Sequence, residues 1–475
     1  MNPLIIDRRS ISVEQPWIPV SRTQSVPDTS SLAPESLAYD VRPVHLSSMA
    51  KKLLNDCFAH DSKRLTHHQA LALLESRINP VAGEETLALN QAAGRILAAP
   101  AVALSPVPAH DNSAVDGYAF AAADYDASLG TEFQVVGRAA AGHPLKDAAQ
   151  PQTAVRIFTG AVVPDGTDSV VMQEDIEGFE RGGANWLKIP AGLKAGANVR
   201  LAGEDIAAGT QLLGRGAIIR PQDLAGLASI GLADVSCFKR VKVAIFSTGD
   251  EVIRPGAALA PGEVYDANAP MLKALIESSG ALPQDQGVLP DKPDALQDAL
   301  LKTASGYDVI ITSGGASVGE EDHLVATLDR IGKRHLWQLA IKPGRPMSFG
   351  QINDAVVIGL PGNPVAVFVC FLLYVWPMLR RLGGTDWPAP RVLRLPADFS
   401  VRERKTGRRE FWRGMLKRSA NGGLVVEKFA RDGSGLISSL RASDGLIEVA
   451  EDVAAIAPGD PVSFIPYSDY GILGR

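Results

Sequence analysis

A chain of 475 residues is too long for a single hydrophobic core, and the usual size of a domain predicts about three or four domains. The composition is that of a globular protein, and the 45 glycines and 32 prolines favour mixed α/β and β-rich domains over helical bundles. The formal net charge of −6 gives the whole chain no general affinity for nucleic acid.

The three cysteines, Cys57, Cys237 and Cys370, lie far apart and lack the spacing of metal ligands. This pattern argues against a disulfide framework or a zinc site, and it fits a reducing cytoplasm. The most apolar run, residues 365–379, is shorter than the roughly 20 residues of a transmembrane helix. We therefore predict a buried helix there and no membrane partner.

The pattern of apolar residues divides the chain into five parts. Residues 1–64 lack apolar periodicity and predict a loosely ordered N-terminal extension. Order is expected to begin at Thr66, which forms a capping-box pattern with Gln69 ahead of a helix. The apolar stripe of this helix consists of Leu71, Leu74 and Ile78. The predicted domains are a helical linker (65–108 and 198–236), an inserted β-domain (109–197), a three-layer α/β domain with a parallel sheet covered by helices (237–387) and a C-terminal β-barrel or sandwich (388–475).

Two loops at predicted strand ends of the α/β domain combine glycine with acids. Asp250 and Glu251 follow the strand that ends near Ser247, and adjacent carboxylates suit a divalent cation, although an acidic turn that caps a helix remains open. The segment 313–322 contains three glycines and two serines, so its N–H groups can form an anion nest at a helix N-terminus. It matches neither GxxxxGK[ST] nor GxGxxG, and a plain βα turn is the alternative.

Two further strand-end loops are stiffened by proline. Lys342 and Arg345 stand in an Ile-Lys-Pro-Gly-Arg-Pro segment and can both donate to an oxyanion. Two solvated cations are the alternative, but a loop stiffened without a ligand would be unusual, so anion binding is favoured. Asn363 and Pro364 follow Gly362 and are typical of the first residues of a helix. Outside this domain, the acidic segment 110–118 and the segment 158–161 read as connecting turns on their own.

Seven segments taken together carry a resemblance to a known family. They occur in the order DNSAVDGYA (111–119), FTGAVVPDGTDSVVMQED (158–175), GED (203–205), FSTGDE (246–251), SGGASVGEEDH (313–323), IKPGRP (341–346) and GLPGNP (359–364). With them, residues 66–475 resemble the molybdopterin molybdenumtransferase family, which includes MoeA and the E domain of gephyrin.

The resemblance implies a function in molybdenum cofactor biosynthesis. Molybdate and adenylylated molybdopterin are the expected substrates, Mg²⁺ or a similar cation is the expected cofactor, and AMP is released when molybdenum is inserted. It also implies a molybdopterin-binding α/β domain, a C-terminal β-barrel and a homodimer with its active site at the subunit interface. Transient contact with other enzymes of the pathway or with apo-molybdoenzymes is a further expectation.

The resemblance also assigns roles to residues. Those expected to be catalytic are Asp250, Glu251, Asp322, Lys342, Asp116 and Asp205, of which Asp250, Glu251 and Asp322 hold the metal. Those expected to bind substrate are Thr159, Ser313, Gly314, Gly315, Ser317, Gly319, Asp291, Arg345, Pro361, Gly362, Asn363 and Arg413. Asp116, Thr159 and Asp205 are expected to reach the site of the other subunit.

The chain departs from the family pattern at Gln338, where a second lysine is usual. We expect Arg413 or Lys405 to compensate for the missing charge. Both lie in the basic stretch 402–413, which also contains Phe411 and Trp412. Basic residues next to aromatic ones could mark nucleic-acid binding. At the acidic charge of the chain, a solvated hairpin is the favoured interpretation.

Two other functions remain open from the sequence. A molybdopterin adenylyltransferase shares the α/β domain but does not need the inserted β-domain or the C-terminal barrel. A non-catalytic scaffold of the gephyrin kind shares the whole fold, but the acids of the GDE and GEED segments are intact here, which favours an enzyme.

Overall fold

Helix α1 (His67–Arg77) begins where the sequence predicts it, in a computed structural model that describes residues 65–314, 323–344 and 346–473. The capping box is present, since Gln69 N donates to Thr66 Oγ1 at 3.3 Å and Thr66 N donates to Gln69 Oε1 at 3.0 Å. The buried stripe consists of Ala70, Leu74 and Ile78. These residues pack into the core of the α/β domain, so α1 stabilises that domain although the sequence groups it with the linker.

The chain then enters the first half of the linker and continues into the β-domain. The first half contains β1 (Glu84–Ala88) and β2 (Ala101–Val102). The β-domain contains β3 (Asn112–Ser113), β4 (Gly117–Phe120), β5 (Thr131–Ala139), β6 (Thr153–Ile157), β7 (Ser169–Met172), β8 (Glu177–Arg181), β9 (Ala184–Ile189) and β10 (Val199–Arg200). Six of these strands form one sheet in the order β7-β4-β6-β5-β9-β8. The other two, β3 and β10, pair with each other where the chain enters and leaves the β-domain.

The second half of the linker returns to pair with the first. It contains β11 (Gln211–Leu213), α2 (Pro221–Ser229) and β12 (Asp234–Phe238). Antiparallel pairing joins β1 to β12 and β2 to β11. The linker therefore contains more strand than its predicted helical character implies, because the outgoing and returning segments run side by side and satisfy each other's backbone groups.

The α/β domain is built on a six-stranded sheet. Its elements are β13 (Lys242–Thr248), β14 (Val252–Ile253), β15 (Val264–Tyr265), α3 (Asn268–Ser278), β16 (Leu282–Leu289), α4 (Pro293–Ala304), β17 (Val309–Ser313), α5 (His323–Ile331), β18 (Lys333–Gln338), β19 (Ile341–Lys342), β20 (Pro346–Ile352), β21 (Ala355–Leu360), α6 (Pro364–Cys370) and α7 (Trp376–Leu382). The sheet order is β16-β13-β17-β21-β20-β18. The first four strands are parallel, whereas β20 and β18 add an antiparallel edge.

Helices cover both faces of this sheet, which confirms the predicted three layers. One face packs on α1, α3 and the helix that runs from α6 to α7, and the other packs on α4 and α5. The run from α6 to α7 is one helix of 19 residues, Pro364–Leu382, with a π-helical segment (Phe371–Val375) in its middle. It is the one helix of the described ranges that is long and apolar enough to cross a bilayer, but 89% of its most apolar window is buried inside the protein. This fits the predicted core helix.

The C-terminal domain is a curved antiparallel sheet. It contains β22 (Leu393–Pro396), β23 (Arg409–Arg418), β24 (Leu424–Lys428), α8 (Ile437–Ala442), β25 (Gly445–Val449) and β26 (Pro461–Pro466). The order is β23-β25-β26-β22, with β24 on the free side of β23, and a bridge between Ala397 and Val426 brings the two edges together as in a barrel. Strand β19 of the preceding domain also joins this sheet, parallel to β23.

Candidate active site

A cleft of about 720 Å³ opens at the carboxyl ends of the parallel strands β13, β17 and β21. This is the edge of an open α/β sheet where ligands usually bind. Six of the residues predicted for the site line this cleft. They are Glu251, Asp291, Ser313, Gly314, Gly362 and Asn363.

The strand-end loops of β13, β17 and β21 meet at Gly314. Gly314 N donates to Leu360 O at 2.9 Å, and the backbone of Gly314 has a φ of +103°. A Cβ at this position would lie 2.5 Å from Oγ1 and 2.9 Å from the carbonyl oxygen of Thr248. Only glycine therefore allows the loops to approach this closely, which explains why the predicted nest begins with a glycine.

Three carboxylates surround the acidic side of the cleft. Asp291 N donates to Asp250 Oδ1 at 3.2 Å, and the side chain of Glu251 folds back over Gly249. Partial burial and the nearby charges of Asp250 and Glu251 raise the pKa of Asp291. Within the described ranges no three potential ligand side chains converge as a metal site, and Asp322, the third predicted ligand, lies outside those ranges.

Asp266 is a central residue that the sequence analysis missed. Its buried carboxylate accepts from Ser247 Oγ at 2.5 Å and from an Arg254 guanidinium nitrogen at 2.9 Å. Its other oxygen accepts from Asn268 N and Ala269 N, both at 3.0 Å, at the start of α3. The available signal was an Asp-Ala-Asn segment directly before a helical pattern, which is typical of a helix cap.

Asn268 extends this network to the loop after β21. Its Nδ2 atom donates to Gly362 O at 2.7 Å, while its buried Oδ1 atom has no hydrogen-bond partner among the described residues. The network thus connects the end of β13, the start of α3 and the glycine loop after β21. It holds three walls of the cleft in fixed positions.

A second pocket of about 300 Å³ lies beside the cleft, and Asn363 lines both. Predicted residues on its wall are Lys342, Pro361, Asn363 and Arg413. Asn363 occupies the cap position of α6, but its side chain makes no capping hydrogen bond. The prediction of the helix start is therefore right in position, and the amide remains available to a ligand in either pocket.

Arg413 is buried and is held by the loop that follows β24. Its Nε atom donates to Ser439 Oγ at 3.1 Å, and one terminal nitrogen donates to the carbonyl oxygens of Arg431 and Gly433 at 3.3 and 3.4 Å. Burial lowers the pKa of Arg413. Of the two residues expected to replace the missing lysine, Arg413 lines the pocket and Lys405 lines neither pocket.

The basic stretch 402–413 is solvated, as predicted, only in its first half, where residues 402–403 and 405–407 are exposed, while residues 410–413 are buried. The side chains of Arg404 and Arg409 are largely buried, with exposures of 6% and 11%. Arg409 pairs with Glu448 and Glu451. The stretch differs from the prediction because strand β23 begins inside it and its aromatic residues, Phe411 and Trp412, turn into the protein core.

Asp116, Thr159 and Asp205 lie on the β-domain and its connection to the linker. Both the backbone N and Oγ1 of Thr159 donate to Asp116 Oδ1, at 2.8 and 2.7 Å. These hydrogen bonds lower the pKa of Asp116. None of the three residues lines the cleft or the smaller pocket of its own chain.

Five predicted residues lie outside the described ranges. They are Gly315, Ser317, Gly319, Asp322 and Arg345. Their expected roles therefore stay predictions from the sequence.

Comparison with known proteins accounts for nearly all of the described chain. Residues 65–231 match the family "MoeA N-terminal region (domain I and II)", residues 244–381 match "Probable molybdopterin binding domain", and residues 395–467 match "MoeA C-terminal region (domain IV)". The limits of these three matches fall close to the limits of the linker with its insertion, of the α/β domain and of the C-terminal domain described above.

Individual relatives agree over most of their length. A molybdopterin molybdenumtransferase of Haemophilus influenzae is 36% identical over 405 residues, which cover 85% of this chain and 99% of the relative. A molybdopterin molybdenumtransferase 2 of Mycobacterium tuberculosis is 32% identical over 83% of this chain and 96% of the relative. The crystal structure of a molybdopterin biosynthesis MoeA protein from Pyrococcus horikoshii superposes with a TM-score of 0.72 at 29% identity, covering 85% of this chain and all of that one. The chain belongs to the molybdopterin molybdenumtransferase (MoeA) family.

Proposed function

We propose that this transferase of molybdenum cofactor biosynthesis inserts molybdenum into adenylylated molybdopterin and releases AMP. Relatives with the same domain sequence are named molybdopterin molybdenumtransferases. The observation that carries the proposal is the pair of adjoining pockets that share Asn363, one bordered by acids and the other by Lys342 and Arg413. The smaller pocket is also lined by Asp432, whose carboxylate pairs with Lys428. Such a pair of pockets can hold a phosphoanhydride and a metal oxyanion next to each other.

The acidic side of the cleft suits a divalent cation. Asp250, Glu251 and Asp291 gather like charges, and the raised pKa of Asp291 reflects this crowding as well as partial burial. A bound cation such as Mg²⁺ would neutralise charge on the phosphate oxygens as the anhydride is opened. Asp250 and Glu251 would hold it, together with Asp322 from the acidic end of the glycine loop.

The smaller pocket suits a tetrahedral dianion such as molybdate. Lys342 has a half-exposed ammonium group at its wall, and Arg413 presents a guanidinium group fixed by three hydrogen bonds. Charged donors held in place bind oxyanions more strongly than mobile ones, because less side-chain freedom is lost. Lys342→Ala is expected to reduce molybdenum insertion strongly, and normal insertion by this variant would exclude Lys342 from the site.

The β-domain residues complete the site in a homodimer. Asp116 and Thr159 form an ordered polar pair that faces neither pocket of its own chain. In a dimer, this pair and Asp205 would reach the cleft of the partner subunit. Mixing Asp250→Asn with Asp116→Asn tests this arrangement, since a mixed dimer would contain one intact site and regain activity. Two inactive variants that stay inactive when mixed would place both groups in the same chain's site.

The deciding assay for the reaction measures AMP released from adenylylated molybdopterin in the presence of molybdate and Mg²⁺. Release that depends on molybdate and leaves ATP unused is the expected result. Consumption of ATP would indicate an adenylyltransferase, and the absence of any AMP would indicate a scaffold. A cytoplasmic location and transient contact with downstream enzymes belong to the same proposal, and fractionation and co-purification test them.

A further inference from the structure

The C-terminal domain places a buried carboxylate directly behind Lys342. Glu410 lies on β23 and is only 3% exposed. Its Oε2 atom lies 3.7 Å from Lys342 Nζ and accepts a hydrogen bond from Trp412 Nε1 at 2.9 Å. Trp412 and Lys342 both line the 300 Å³ pocket, so Glu410 lies beneath the wall of that pocket.

The other oxygen of Glu410 faces two arginines. Arg408 Nε donates to Oε1 at 3.3 Å, and a guanidinium nitrogen of Arg404 lies 3.6 Å from the same atom. Arg404 is buried and donates to the carbonyl oxygens of Val453 and Arg408, which gives it a structural role. The side chain of Arg408, in contrast, is 43% exposed, close to the 41% of Lys342. One buried carboxylate thus orients two cations that both remain accessible to a ligand.

Backbone pairing fixes this arrangement. Strand β19 runs parallel to β23 with Lys342 opposite Glu410 and Ile341 opposite Arg409. Arg409 N donates to Ala340 O at 3.0 Å, which adds a further bond between the two segments. Because both strands define the positions of their side chains, the separation between the lysine and the carboxylate does not depend on flexible loops.

We propose that Glu410 is a positioning residue that holds Lys342 towards the oxyanion pocket. The proposal rests on the proposed function, because it assigns the pocket to molybdate. Glu410 has three cationic neighbours and one indole donor, and Asp432, an acid on the pocket wall, pairs with Lys428, so the cluster keeps a net positive charge. This charge favours a dianion at the pocket wall.

A double-mutant cycle tests the proposal. Glu410→Gln keeps the size of the side chain and removes its charge, and we expect the KM for molybdate to rise about tenfold while kcat changes much less, which corresponds to about 1.4 kcal/mol of binding. Lys342→Ala combined with Glu410→Gln should raise KM little more than Lys342→Ala alone, because Glu410 acts through the lysine. Arg408→Gln should change KM little, because Arg408 lines neither pocket, and Glu410→Asp should restore part of the affinity.

Glu448→Gln is the matched control, since it removes a largely buried carboxylate that pairs with Arg409 on the same sheet. Equal increases in KM for Glu410→Gln and Glu448→Gln, or fully additive effects of Glu410 and Lys342, would overturn the positioning role. Equilibrium dialysis of the full-length variants against molybdate alone provides a measurement that does not require turnover. Absence of AMP release by the unmutated protein refutes the proposed function, whereas unchanged molybdate binding by Glu410→Gln refutes this inference.

Discussion

Gly344, in the loop that carries Lys342, is expected to tolerate no side chain. Its φ of +102° lies where residues with a Cβ are strained, and a Cβ there would lie 2.2 Å from the sulfur of Cys370. Cys370 is fully buried in the core helix, and its Sγ atom faces Gly344 O at 3.6 Å. Because the sulfur is fully buried, a Cβ at residue 344 crowds the core helix as well as straining the loop.

The expected loss of stability combines two effects. Backbone strain in this region accounts for about 1–3 kcal/mol, and overpacking against a buried atom adds about 1–3 kcal/mol, giving about 2–6 kcal/mol. For a cooperative unit of about 150 residues, 1 kcal/mol lowers Tm by roughly 3 °C. Gly344→Ala should therefore lower the Tm of the α/β domain by at least about 6 °C by these values.

Differential scanning calorimetry with two further variants separates these effects. Gly362→Ala, in the neighbouring loop, is the control, because a Cβ there meets no atom within 4 Å. Cys370→Ala removes the sulfur, so adding Gly344→Ala to it should lower Tm by the strain component alone. Equal Tm values for Gly344→Ala and Gly362→Ala would refute the reasoning. So would a drop in Tm from Gly344→Ala that is as large in the Cys370→Ala variant as in the unmutated protein.

Three further predictions concern charged groups. Asp250→Asn should lower the pKa of Asp291, as measured by carboxyl NMR titration, because a neighbouring charge that raises it is removed; an unchanged pKa would leave burial and the charge of Glu251 as its causes. Asp266→Asn replaces a buried carboxylate that accepts several hydrogen bonds, one of them from Arg254, and should lower stability by about 1.5–3 kcal/mol, whereas Asp285→Asn removes the exposed second partner of Arg254 and should change stability by less than about 1 kcal/mol. Burial lowers the pKa of His67 from 6.5 to about 3, so the folded state resists protonation and stability should decline as pH falls from 6.5 towards 3. His67→Gln should flatten this decline in Tm, and an unchanged pH profile would assign the decline to other groups.

The sequence predicts those elements whose signals are local. The capping box at Thr66 and the helix start at Asn363 and Pro364 appear where the pattern indicates them. Each of these depends on residues within one turn or one strand of each other, so the amino-acid pattern is sufficient.

Features that depend on pairing between segments far apart in the sequence were not predicted. The antiparallel edge formed by β18 and β20 interrupts an otherwise parallel sheet, and no contiguous signal in the sequence specifies the direction in which an edge strand pairs. The pairing of β1 with β12 joins segments separated by the whole inserted domain. Helix α1 packs on the α/β core for the same reason, since its apolar stripe does not specify which surface it covers.

The candidate site likewise contains residues with a local sequence signal and residues whose role depends on the folded chain. Glycine-rich loops and paired acids are visible in the sequence because they are contiguous, and the structure brings Glu251, Asp291 and Asn363 to one cleft. Asp266 and Glu410 were missed because single acids gain meaning only from the cations and N–H groups that surround them in the folded chain. The roles of individual site residues remain predictions that the experiments above address.

The pairing of β19 with β23 has a consequence for how this protein can change during evolution. A strand advances by about 3.3 Å per residue, so a slip of one position would move Lys342 by that distance and turn its side chain to the opposite face. The register of β19 against β23 therefore fixes the position of Lys342 in the α/β domain relative to Glu410 in the C-terminal domain. Insertions are tolerable in the outer turns of the C-terminal domain, but one between Ala340 and Gly344 or at the start of β23 would separate the lysine from its pocket while leaving both domains folded.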